Sequence, residues 1–209
     1  MRTPDPRKRL GVTGLSLDVG GVLLEVAEPV SRTYRRFTGS ARSEAEVARA
    51  FQRAWGNNPH RMVGDARPFW RHLVTASTGV SDPAAFEALY AFYATAEAWS
   101  VLPGAQAWLA DPPCPVVICS NWDTRLPATL GAVGLPRLPT VCSGELGVEK
   151  PHPRMYRAAA DALGLRIDGL LHVDDQLENV EGARRLGAAG VVWGLEVHSL
   201  TGLDAILAR

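Results

Sequence analysis

The feature that most constrains this chain is an alternation that begins beyond Pro103. Short apolar runs suited to buried strands (residues 116–119, 140–142, 170–173 and 191–193) take turns with segments of helical period (124–133, 153–163 and 177–186). Such repetition predicts a parallel sheet, because a parallel neighbour is reached only through a long crossover, usually a helix. Met155, Ala158, Ala159, Ala162 and Leu163 fall on one helix face, and Gly164 and Gly187 supply helix stops. One more strand is expected at residues 15–19. It breaks at Gly20-Gly21 and so delivers Asp18 to its C-terminal end.

From about Pro29 to Ser100 the pattern is helical throughout. Val47, Ala50, Phe51, Ala54 and Trp55 recur at helical spacing behind a Ser43/Glu46 capping box. Phe86, Leu89, Tyr90 and Tyr93 follow Asp82 as N-cap and Pro83 at the first helical position. The expected architecture is an α/β domain carrying a helical insertion, and 209 residues suit one domain with an insert at about 150 residues per domain.

Twenty-two acids cancel 22 bases, so no long-range field gathers a nucleic acid or an anionic membrane, and neither is expected as a partner. No apolar run approaches the roughly 18 residues that cross a bilayer; the uncharged stretch 89–96 is far too short. Arg7, Lys8 and Arg9 ahead of an apolar stretch resemble the start of a secretory signal, but Asp18 inside that stretch argues against one. Cys114, Cys119 and Cys142 lack paired metal or redox spacing and read as small buried hydrophobes of a reducing, cytoplasmic protein.

Ligands of open parallel sheets bind outside the carboxyl ends of the strands. Four polar groups stand there: Asp18 in L-D-V-G-G-V, Ser120 and Asn121 in C-S-N-W-D, Lys150 in V-E-K-P-H-P, and Asp174 with Asp175 in H-V-D-D-Q-L-E-N. Together they offer a carboxylate nucleophile, a hydroxyl donor, a fixed cation and an acidic pair that a divalent metal would neutralise. Each has a plainer reading. Asp18 before two glycines suits a turn, Ser120-Asn121 a strand end or helix cap, and Asp174-Asp175 the N-terminus of the next helix. Lys150 is harder to set aside, since only it and Lys8 are lysine among the 22 bases.

In this order the set resembles the haloacid dehalogenase-like hydrolase superfamily, specifically the subgroup with a helical cap between the first and second motifs. S-N-W-D-T-R-L, E-K-P-H-P and N-V-E-G-A-R-R-L-G add to the likeness. The resemblance implies a Rossmann-like parallel sheet core (12–26 and 101–209), an inserted all-helical cap (27–100) and a cap that moves over the site and sets substrate choice. It further implies Mg²⁺ and an aspartyl-enzyme intermediate. Asp18 would be the nucleophile, with Ser120, Asn121 and Lys150 holding the phosphoryl group. Asp18, the Gly20 carbonyl and Asp175, with Asp174 beside them, would form the metal site. A Mg²⁺-dependent phosphatase acting on a small phosphorylated metabolite is the expected activity.

The chain departs from that pattern at one place. The superfamily's phosphatases usually carry a second Asp two residues after the nucleophile, as general acid for the leaving group and then base for water; here that position is Gly20, and Val22 replaces a common hydroxyl residue. General acid–base catalysis is worth about 10² to 10⁴ in rate, so slow turnover of alkyl phosphates is expected. Two other readings follow from the departure. One is a catalytically silent protein that keeps the pocket for a phospho-ligand or partner. The other is a dehalogenase, whose departing halide needs no proton; it leaves the Asp174-Asp175 pair without a purpose, and Asn179 stands where its water-orienting acid belongs.

His60, His72, His152, His172 and His198 lack metal-ligand spacing and are expected at the surface or at strand ends. Cys119 is expected in the core, and Trp55, Trp70 and Trp99 in packing within the helical segment, with a few of its aromatic rings able to line the entrance to the site. Arg125 could meet a substrate anion or face solvent from its helix.

Overall fold

The computed structural model describes residues 11–207; the basic segment holding Arg7, Lys8 and Arg9 lies outside the described residues. Five parallel strands, β1 (Gly14–Leu17), β4 (Val116–Ser120), β5 (Thr140–Cys142), β6 (Leu170–Asp174) and β7 (Ala189–Val192), form one sheet in the order β5-β4-β1-β6-β7. Its three central strands are buried along their whole length, which is why they read as unbroken apolar runs rather than as alternation.

Side chains nevertheless divide by parity. Leu15, Leu17, Val116, Ile118, Leu171 and Val173 join one hydrophobic cluster, completed by Leu109 of α5 (Ala105–Ala110), Leu126 and Leu130 of α6 (Leu126–Ala132), and Leu200 and Leu203 of α10 (Leu200–Leu207). Val117 and Cys119 turn to the other face, onto Met155, Tyr156, Ala159 and Ala160 of α8 (Pro153–Ala162) and Ala183 of α9 (Leu177–Arg184). Each fully buried Leu of this kind contributes about 1.5–3 kcal/mol. A one-turn helix, α7 (Ser143–Leu146), follows β5.

Between β1 and the rest of the sheet lie four helices: α1 (Val30–Thr38), α2 (Glu44–Gly56), α3 (Arg67–Thr78) and α4 (Pro83–Phe92). Helix α2 opens on the expected capping box. Ser43 Oγ accepts from the Glu46 N–H at 3.3 Å, and Glu46 Oε2 accepts from the Ser43 N–H at 2.8 Å, an arrangement worth about 0.5–2 kcal/mol. Asp82 caps α4 by accepting from the Ala84 and Ala85 N–H groups at 2.8 and 3.3 Å. The helices pack on clusters of their own, one around Tyr34, Val47, Val74, Phe86 and Leu89 and another around Met62, Phe69 and Leu73.

Two expectations change here. Residues 99–100 are not helical but open β3 (Trp99–Val101), which pairs antiparallel with β2 (Leu24–Val26). That ribbon brings the two ends of the helical segment side by side, and at three residues per strand it is too short to show a period. Trp55, placed on the buried stripe of α2 by its spacing, is 46% exposed.

Candidate active site

The sheet order explains how distant residues meet. After β1 the chain crosses to β4 and β5 on one side, then returns to β6 and β7 on the other, so a crevice opens at the carboxyl end of β1. Asp18 follows β1, its N–H donating to the Val173 carbonyl at 2.9 Å. Ser120 ends β4, Asp174 ends β6, and Asp175 is the next residue. Lys150 enters from the loop between α7 and α8. The turn after Asp18 needs a glycine at position 21, where φ is +72° and a Cβ would stand 2.7 Å from an Asp175 carboxylate oxygen.

The fully buried Lys150 ammonium lies 2.9 Å from Asp18 Oδ1 and 2.5 Å from Asp174 Oδ2, and it also donates to the Cys119 carbonyl at 2.9 Å. Burial alone would lower its pKa, but the two carboxylates hold it above the usual lysine value. Asp174 is likewise penalised by burial, yet Lys150 and His172 pull it well below the usual carboxylate range. Its four hydrogen bonds are complete: Oδ1 accepts from the Gln176 N–H and Asn179 Nδ2, while Oδ2 accepts from Lys150 Nζ and lies 3.3 Å from His172 Nε2.

Asp18 and Asp175 are in the opposite condition. Burial raises Asp18; Lys150 opposes this and Asp174 adds to it, with a net upward shift. Asp175 is raised chiefly by burial, and Asp18 and Asp174 raise it further. Asp18, Asp174 and Asp175 each offer an oxygen within 4.8 Å of the others, and Asp18 Oδ1 is paired with the Lys150 ammonium. Three carboxylates against one ammonium leave two excess negative charges. A divalent cation matches that charge and that oxygen-only donor set, so the residues fit Mg²⁺, with Asp18 and Asp175 as available ligands and Asp174 occupied by its protein partners.

Asn121 takes a different task from the expected phosphate contact. Its Oδ1 accepts from the Lys150 N–H at 2.6 Å and its Nδ2 donates to the Lys150 carbonyl at 3.0 Å, so it fixes the lysine's main chain. His172 corrects the surface expectation. It sits inside β6 with no exposure, in register with Ser16, whose hydroxyl lies 3.0 Å from Nδ1. Its place two residues before Asp174 on the same side of the strand was the signal. Cys119 is core as expected, its thiol pushed up to about 12 by burial.

Arg125 neither faces solvent nor stands free for an anion. Its guanidinium donates to Asp123 Oδ1 at 2.9 Å and Oδ2 at 2.6 Å, lies over the Tyr90 ring and donates to the Tyr90 carbonyl. Asp123, fully buried and missed in the sequence although it shares a phrase with Asn121 and Arg125, also accepts from Trp70 Nε1 at 2.9 Å. The loop after β4 is thereby tied to α3 and α4.

Burial alone would raise the Asp123 pKa, but the bonds and charge of Arg125 and the Trp70 bond leave it below the usual value. A carboxyl depressed on folding adds stability above its unfolded pKa and loses it as the pH falls through the folded one. Asp123→Asn is therefore expected to lower unfolding free energy by about 1.5–3 kcal/mol at neutral pH, with a smaller deficit below about pH 4. Urea titrations across that range check this; an equal deficit at every pH would contradict it.

Above these groups a cavity of about 740 Å³ reaches from Asp18, Gly20 and Asp175 into the helical segment. Trp55, Trp70 and Trp99 line it as well as packing against neighbouring rings. No described helix is long and apolar enough to cross a membrane.

The profile of the haloacid dehalogenase-like hydrolases matches residues 12–187. Haloacid dehalogenase-like hydrolase domain-containing protein 3 of Danio rerio is 28% identical over 221 aligned positions, covering 94% of this chain and 90% of the relative. The Bos taurus protein of the same name is 28% identical, covering 86% and 80%. Among solved structures, the L-2-haloacid dehalogenase of Xanthobacter autotrophicus superposes with a TM-score of 0.70 at 18% identity (93% of this chain, 88% of that one). A phosphatase from Thermococcus onnurineus gives 0.64 at 19% (94% and 98%). At such identities these two likenesses speak for the fold, a parallel α/β sheet of Rossmann-like type. With the profile spanning most of its length, the chain belongs to the haloacid dehalogenase-like hydrolase family.

Proposed function

We propose that the chain is a phosphohydrolase that passes a phosphoryl group from a small phosphorylated metabolite first to Asp18 and then to water. The observation that supports it best is the set of three carboxylates gathered around one buried ammonium. Two excess negative charges at the mouth of a cavity would repel an anionic substrate unless a cation joined them. Mg²⁺ held by Asp18, Asp175 and the Gly20 carbonyl would supply that charge and polarise the phosphoryl oxygens.

The protein's own part is positioning. Lys150, held by Asp174 and Asn121, keeps the Asp18 carboxylate in place and faces the phosphoryl oxygens, and the Ser120 hydroxyl donates to the same oxygens. Asp18 attacks phosphorus, dividing one displacement into two. Residues 27–100 serve as the cap over the reacting groups, and residues 12–26 with 101–207 as the core. Arg125, paired with Asp123, has no free charge for the carboxylate of a small haloacid, which argues against dehalogenation.

Gly20 supports one rival, a binding protein without turnover. Phosphate release from an aryl phosphate separates the two. Turnover is expected with Mg²⁺, lost under chelation and restored by added metal. Turnover that persists at full rate under chelation would contradict the metal's role. Tight binding of a phosphate analogue with no turnover would favour the rival.

A further inference from the structure

The cavity beside Asp18 is much larger than a phosphate, and its walls describe what is attached to that phosphate. Away from Asp18, Ser120, Lys150 and Asp175, with the amides Asn121, Gln176 and Asn179 at the sheet end, the wall supplied by the helical segment is mostly aromatic and aliphatic: Tyr34, Phe51, Trp70, Phe86, Tyr90 and Trp99 contribute rings, and Gln52 is its one amide among the described residues. Arg125 reaches this wall already neutralised by Asp123, with its guanidinium laid on the Tyr90 ring. Apart from Asp18 and Asp175, Glu178 is the one acid among the described lining residues, and it belongs to the first turn of α9 rather than to the helical wall. A sugar or nucleoside, whose several hydroxyls each lose hydrogen bonds to water on entering, finds on the helical wall only Gln52 and the tyrosine and indole tips as polar partners. An aromatic ring finds stacking and edge-on partners and loses nothing.

A second, independent observation concerns the leaving group. At Gly20, which lines the cavity next to Asp18, a Cβ would meet nothing within 4 Å, so the space where a proton donor could stand is open and empty of one. Without a donor at position 20, a leaving oxygen departs as an anion. Phenolic oxygens do so readily, since a phenol has a pKa near 10, whereas an alkoxide without a proton does not.

Resting on the phosphohydrolase reading and specifying its substrate, we infer that the metabolite is an aryl phosphate, the phosphate monoester of a hydrophobic one- or two-ring phenol whose rings occupy the aromatic cavity. The steps balance. An Asp18 carboxylate oxygen bonds to phosphorus as the bond from phosphorus to the aryl oxygen breaks, and that electron pair leaves on the phenolate. Water then attacks phosphorus, the bond to Asp18 breaks and the carboxylate is regenerated. The water's proton passes through solvent to the phenolate, giving a phenol and inorganic phosphate.

Four substrates separate leaving-group ability from ring recognition: 2-naphthyl phosphate, phenyl phosphate, acetyl phosphate and glucose 6-phosphate, each assayed with Mg²⁺. The expected order of kcat/KM is naphthyl above phenyl by about tenfold through a lower KM, as burial of one more ring predicts. Acetyl phosphate should turn over with a KM above that of phenyl phosphate, and glucose 6-phosphate at least ~100-fold more slowly, as loss of general acid catalysis predicts. Trp55 lines the cavity while 46% exposed, so Trp55→Ala removes a ring with little risk to folding. It should lower the ratio of naphthyl to acetyl kcat/KM about five- to tenfold. Val26→Ser, at the exposed rim, should lower the same ratio in a second, independent position. Comparable kcat/KM for all four substrates, or ratios unmoved in both variants, would overturn the aryl assignment and leave the phosphohydrolase reading standing. Turnover of none of the four would overturn both.

Discussion

Gly20→Asp is expected to raise turnover of an alkyl phosphate such as glycerol phosphate by ~10²- to 10⁴-fold, the usual worth of a positioned general acid and base. The structure gives this replacement room. Its backbone is outside the left-handed region, and an added Cβ meets nothing within 4 Å. The new carboxyl would point into the cavity beside Asp18, where it could protonate a departing alkoxide and later take a proton from water. Aryl phosphates should gain less in the first step, because a phenolate leaves unaided. Gly20→Asn supplies the same shape without a titrating proton and should give no gain. Equal kcat/KM for parent and Gly20→Asp on the alkyl substrate would mean that the empty position does not limit the chemistry.

The second large effect is at Asp18. Asp18→Asn keeps the size of the side chain and removes its negative charge, so turnover should fall by ~10⁴-fold or more, the scale seen when a group acting in the transition state is lost. Stability should not fall with it. A carboxyl whose pKa is raised on folding costs stability above its unfolded pKa, and the neutral amide removes that cost. Lys150 keeps Asp174 at 2.5 Å as its partner. Thermal unfolding is therefore expected at the parent temperature or above it. A coincident loss of activity and of stability would instead indicate a structural role.

Much of this arrangement was legible in the sequence because topology does most of the assembling. Once β1, β4 and β6 are adjacent and parallel, the residues that follow them must share one rim, and Asp18, Ser120, Asp174 and Asp175 are those residues. The apolar runs and glycine stops carried that information locally. The β2–β3 ribbon was not legible, since pairing of Leu24 with Val101 depends on where the helical segment folds rather than on any period. The same holds for the tie between Asp123, Arg125, Trp70 and Tyr90, whose partners are up to 53 positions apart. His172 was misplaced because a lone histidine in an apolar run gives no sign of a register partner, and Ser16 supplies one only when β1 and β6 pair. Asn121 showed its location but not its task, which depends on the path of the loop that carries Lys150.

Attack by Asp18 on phosphorus is the step on which the rest depends. With no acid or base at position 20, breakdown of the acyl phosphate should be slow, so the intermediate should accumulate. Mixing the protein with 2-naphthyl phosphate and Mg²⁺, quenching in acid within one turnover and weighing the proteolytic peptides tests it directly. The predicted result is a burst of naphthol equal to the protein present and one added phosphoryl group on the peptide containing Asp18, absent in Asp18→Asn. Steady turnover with that peptide unmodified, or with the phosphoryl group on another residue, would contradict the account.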